Sequence, residues 1–111
     1  MFNHERLKCY EMSLMVAKKV PNLVARWGRG NYYLEDQLKR ALSSVVLNIS
    51  EGNSRSGPKE RARFFSIARA SAAESASIFD VASAMNLMTE SEAHYFKDIL
   101  LQVVKMLYKL R

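Results

Sequence analysis

The chain has a single cysteine, Cys9, among 111 residues. No disulfide can close within it, and a reducing compartment, the cytoplasm, is the expected setting. Proline occurs twice and glycine four times, too few for a low-complexity or disordered chain. No apolar run approaches the ~20 residues that span a bilayer, and the opening MFNHERLKCYEM lacks the apolar core of a secretory signal. The phosphate-loop pattern GxxxxGK[ST] is absent. His4 and His94 stand far apart, with no ligand-spaced Cys, Asp or Glu beside them. Glu51, Glu74 and Asp36 have no nucleophile or paired base, so helix-to-helix ion pairs explain them better than acid–base work. Catalysis, a metal and a cofactor are therefore not expected.

Helical periodicity dominates what remains. With 49% hydrophobic and 25% charged residues, the chain suits one globular helical domain, residues 1–111. Leu34, Leu38, Ala41, Leu42, Val45 and Ile49 recur at three- and four-residue steps and define one buried face. Gly52 is expected to end this helix in a left-handed cap. Pro58 suits the first turn of the next, with Gly57 or Ser56 as cap. There Phe64, Ala68, Ser71, Ser75, Ile78, Ala82 and Met85 hold heptad positions, widened by Phe65, Ala72, Ala76 and Phe79. The Ala/Ser-rich middle lets a neighbouring helix come close.

Flanking helices complete the set. The first carries two apolar stripes: Leu7, Tyr10, Leu14, Ala17, Pro21 and Val24, and then Cys9, Val16, Val20, Leu23 and Trp27. A face that wide is buried on two sides or contacts another subunit. Pro21 is expected to kink it. Thr89 and Glu92 have capping-box spacing. Phe96, Ile99, Leu100, Val103, Leu107 and Leu110 make a clean stripe, and Lys105, Lys109 and Arg111 suit the negative end of the last helix. The spacing predicts helices over residues 3–26, 32–51, 58–86 and 90–110. The expected fold class is all-α, an antiparallel up-down-up-down four-helix bundle.

A formal net charge of +6 favours polyanionic partners, RNA or DNA first. The best binding candidate is the basic connection: Arg55, Lys59, Arg61 and Arg63, with Ser54, Ser56 and the free amides of a helix N-terminus. Amides, hydroxyls and guanidinium groups together suit phosphate. Cations at a helix N-terminus oppose its dipole, which makes sense if an anion docks there; the alternative is a solvated basic turn. A second row, Gln37, Arg40, Ser44, Asn48 and Glu51, is either a hydrogen-bond network or the boundary of a surface helix. Folding the hairpin about residue 55 predicts an Arg40–Glu74 ion pair. Phe and Tyr side chains are expected in the core, not as base-stacking platforms. Leu47, with Val46 and Trp27, is a candidate association surface. A scaffold that binds a protein partner, without nucleic acid, is the competing functional reading.

The runs Gln37-Leu38-x-Arg40-Ala41, Asn48-Ile49-x-Glu51-Gly52 and Phe64-x-x-Ile67-Ala68-x-x-Ser71-x-x-Glu74 resemble the 23S rRNA intervening-sequence proteins, also called the four-helix bundle protein family. The likeness extends over nearly the whole chain. Ala70 stands where that family usually has glycine, and Ala72 and Ser75 where it usually has leucine. The resemblance implies an up-down-up-down bundle and a homo-oligomer, a closed five-fold ring in several members. It also implies an rRNA setting. Related accessory proteins of diversity-generating retroelements form basic rings that engage nucleic acid and a reverse transcriptase.

Overall fold

The computed structural model describes residues 1–110; Arg111, assigned above to the end of the last helix, lies outside them. Four long helices carry the fold: α1 (Lys8–Val24), α2 (Tyr32–Ser54), α3 (Pro58–Ala84) and α4 (Glu90–Lys109), with 3-10 turns at Asn3–Arg6 and Arg29–Asn31. No strand occurs among the described residues. The first helical segment is shorter than its apolar pattern suggests. Leu7 takes an extended conformation, φ −75° and ψ 128°, and separates the Asn3–Arg6 turn from α1. Gly28, at φ 83°, makes the first corner, a conformation that costs glycine little. At the α3–α4 corner Asn86 takes φ 60°. There the Leu87 N–H donates to the Ala82 carbonyl and the Asn86 N–H to that of Ser83, a Schellman closure. The Thr89–Glu92 capping box forms in both directions, at 3.0 and 2.9 Å.

Gly52 does not end α2. The helix continues to Ser54, and the glycine serves close approach instead. A Cβ at Gly52 would sit 2.6 Å from Phe65 Cε1 and 3.2 Å from Phe64 Cβ, well inside contact distance. The α2–α3 hairpin therefore closes on a side-chain-free spot.

Cross-helix contacts run antiparallel throughout. Tyr33 at the start of α2 meets Met85 at the end of α3, Arg26 just beyond α1 pairs with Glu92 in the first turn of α4, and Asp80 on α3 pairs with Lys97 on α4. Each helix packs on its two neighbours in chain order, and α1 closes on α4. The bundle measures 43 × 22 × 20 Å. The Cys9, Val16, Val20, Leu23 and Trp27 stripe of α1 is buried, as are Leu38, Val45, Ile49, Phe65, Phe79 and Val103. Burial pushes the Cys9 thiol pKa up, so it stays protonated and unreactive. Trp27, assigned above to an association surface, is 3% exposed and belongs to the core; its Nε1–H has no partner. Of the heptad residues on α3, Phe64 is only half-buried and Met85 is exposed, while Ala68, Ser71, Ser75, Ile78 and Ala82 are buried. At this waist the Ser44 and Ser71 hydroxyls meet at 2.7 Å, a contact that small residues permit.

Candidate functional site

The α2–α3 connection is exposed, and the helices on either side fix its cations. Arg55 leaves α2 in an extended conformation. Its guanidinium bonds Glu51 at 2.9 Å and lies 5.1 Å from the Phe64 ring centre. Arg63 bonds Glu60 at 2.8 Å and lies 4.4 Å from the same ring. Phe64 is thus a shared platform for two guanidinium groups. The Arg63 bond is the main cause holding the Glu60 carboxyl below its ordinary pKa, with the charges of Arg63 and Arg55 adding to it. Arg61 turns inward. It donates to the Gly52, Asn53 and Arg55 carbonyls at 3.3, 3.1 and 3.3 Å and lies over Phe65. Lys59 is exposed and has no ion pair among the described residues.

This geometry changes the dipole argument. The same cations that oppose the N-terminus of α3 lie against the carbonyl end of α2, where positive charge is favoured. Arg61 satisfies α2's terminal carbonyls directly. A bound anion is therefore not required to explain their placement. Arg55, Lys59 and Arg63 remain the three that present charge outward.

The polar row resolves into a smaller cluster. Asn48 donates to the Ser44 carbonyl at 2.8 Å and to its hydroxyl at 3.1 Å. Ser44 meets Ser71, and Ser75 donates to the Ser71 carbonyl at 2.9 Å. Gln37, Arg40 and Glu74 are exposed outside it, and Glu51 turns to Arg55. No bond joins Arg40 to Glu74. With Ser44 opposite Ser71, residue 40 falls opposite Ser75, and Glu74 lies ~100° away round α3.

Two apolar grooves flank the bundle. One, of about 430 Å³, runs between α1 and α2 and is lined by Leu14, Ala17, Pro21, Val46 and Leu47. The other, of about 420 Å³, runs between α3 and α4 over Ala72, Ala76, Leu100, Leu101 and Val104. Leu47 is 61% exposed and Leu101 51%. The outer stripe of α1 lines the first groove, which accounts for a face wider than the core uses. Sequence patterning did not single out the Phe64 platform. The available signal was the place of Phe64 directly after Arg61 and Arg63, among the cations of the connection.

Among the described residues no three His, Cys, Asp or Glu side chains gather as a metal set. No helix is long and apolar enough to cross a membrane. No curated protein matches the chain. A family model described as 23S rRNA-intervening sequence protein matches residues 5–109. That match spans all four helices, and by it the chain belongs to the 23S rRNA-intervening sequence protein family.

Proposed function

We propose that this protein is a non-enzymatic, cytoplasmic helical oligomer that binds RNA or DNA through backbone phosphates, in a setting linked to rRNA intervening sequences. The observation that carries the reading is the exposed Arg55–Phe64–Arg63 stack with Lys59 beside it. Guanidinium groups held against a ring lose little further freedom on meeting phosphate. The mechanism is electrostatic, with little readout of base sequence, and it needs no cofactor. The assembly we propose is a closed ring of five copies. The α1–α2 and α3–α4 grooves lie on opposite flanks, so one copy's groove faces a different groove on the next. Such head-to-tail contacts close into rings when the rotation allows. A ring of five multiplies a charge of +6 fivefold, and an anionic partner relieves that repulsion.

A salt titration with generic RNA and duplex DNA tests the reading. Affinity is expected to fall steeply with salt, by about 0.9 in log–log slope for each phosphate contacted on duplex DNA. Arg55→Ala with Arg63→Ala is expected to weaken binding and flatten that slope while the melting temperature holds. The second reading is a protein-interaction scaffold, favoured by the exposed Leu47 beside the α1–α2 groove. It prevails if no binding appears even at low salt.

A further inference from the structure

Arg69 lies over the Tyr108 ring and Asp80 pairs with Lys97, which sets the end of α4 against the first half of α3. Lys109, the last residue of α4, falls roughly level with Ala68. The first ~10 residues of α3, about 15 Å at ~1.5 Å each, therefore run past α4. Among the described elements α3 packs on α2 and α4 alone, so over this stretch α2 is its one neighbouring helix. Segments with few packed neighbours open at low free energy. A platform carried on such an overhang needs something else to hold its backbone still.

Arg61 spans the overhang from inside. Its Nη1 donates to the Gly52, Asn53 and Arg55 carbonyls, and its guanidinium lies 5.3 Å from the centre of the Phe65 ring. Phe65 is buried and closes on Gly52, so this clamp rests on the core at one side and grips the end of α2 at the other. The third carbonyl matters most. Arg55 has left the helix, at φ −82° and ψ 143°, so the α2 ladder no longer fixes it. Yet Arg55 supplies one of the two guanidinium groups that meet Phe64. We infer that Arg61 is the positioning residue of the phosphate platform. It touches no phosphate itself; it holds the Arg55 backbone so that Arg55 and Arg63 converge on Phe64 before any ligand arrives. Without it, Arg55 is ordered only on binding, and each long side chain immobilised at that moment weakens the complex. The inference rests on the phosphate-binding reading above and goes beyond it in separating the cations that bind from the one that arranges them.

The test measures affinity for a labelled 20-nucleotide RNA across a salt series, in the full chain, with helicity and melting temperature recorded for each variant. Arg61→Ala removes the clamp. Arg61→Lys keeps the charge but replaces a planar fork with a point donor on a flexible stem. Lys59→Ala removes an outward cation and is the reference for a direct phosphate contact. Arg61→Ala is expected to lower affinity about three- to tenfold and Arg61→Lys about two- to threefold, each with a salt slope within about 0.2 of the unaltered chain's. Lys59→Ala is expected to flatten that slope by about 0.7, the value for one contact to a single strand. A slope loss in Arg61→Ala equal to that of Lys59→Ala overturns the inference, because Arg61 then meets phosphate directly. Unchanged affinity in both Arg61 variants also overturns it, even if their melting temperatures fall, because the residue then only braces the fold. If Arg61→Ala loses its helicity, Arg61→Lys is read alone by the same two criteria. No binding by the unaltered chain at low salt overturns the phosphate-binding reading as well.

Discussion

Phe64 and Phe65 are neighbours in the chain, yet Phe65 is 1% exposed while Phe64 lies half-buried against Arg55 and Arg63. Their ~100° separation on the helix puts one in the core and the other among the cations. The same hairpin fixes Gly52. Gly52→Ala gains up to about 1 kcal/mol of helix propensity, but its Cβ meets the fully packed Phe65 ring at 2.6 Å. Overpacking of a buried site costs about 1–3 kcal/mol, so the expected outcome is net destabilisation, read as a lower denaturant midpoint at constant m. Glu60 engages Arg63 much as a phosphate oxygen would. Glu60→Gln is expected to tighten polyanion binding about two- to threefold and to steepen its salt dependence, measured by titration beside Glu11→Gln. A lone glycine after an apolar run carries two meanings, cap or close contact, and only the partner helix decides between them. That is why Gly52 read as a terminus.

At the scale of the helix, ends matter more than middles. Thr89 accepts from the Glu92 N–H and Glu92 accepts from the Thr89 N–H. Thr89→Ala is expected to cost about 1 kcal/mol, seen in chemical unfolding. The Thr89 bond is the largest cause holding the Glu92 carboxyl below its ordinary 4.5, with Arg26 adding to it. A depressed folded pKa means that this stabilisation is present above about 4.5 and is lost as pH falls through the lower folded value. Glu92→Gln is therefore expected to lower stability at pH 7 and to flatten the acid limb of the stability profile. Apolar periodicity made all four helices legible, because each stripe of α2 and α4 faces a single core. The ends were less legible. Leu7 continues the α1 stripe in sequence but leaves the helix, and the Asn86 closure has no apolar signature. Register was hidden too. The Ser44–Ser71 contact depends on how tightly the waist closes, which displaced Glu74 from Arg40.

Composition alone disclosed the charge of the whole molecule but not its position. The helices alternate in direction, so the start of α1, the α2–α3 connection and the end of α4 point the same way along the bundle, and Arg69 over Tyr108 sets the end of α4 against the first half of α3, short of that connection. The grooves were half legible. The outer stripe of α1 announced a surplus apolar face, while its counterpart over Ala72 and Ala76 was masked by side chains too small to mark a surface. Leu47→Glu puts a charge into the α1–α2 groove without touching the core. It is expected to reduce the native particle to single chains, measured by sedimentation or native mass spectrometry, with unchanged helicity. Trp27 adds an optical consequence. As the sole indole, buried at the end of the bundle opposite the α2–α3 connection, it should emit in the blue and shift to longer wavelength when that corner opens. Its glow should stay constant as oligonucleotide is added, so any quenching on mixing would report motion relayed along the full 43 Å of the rod.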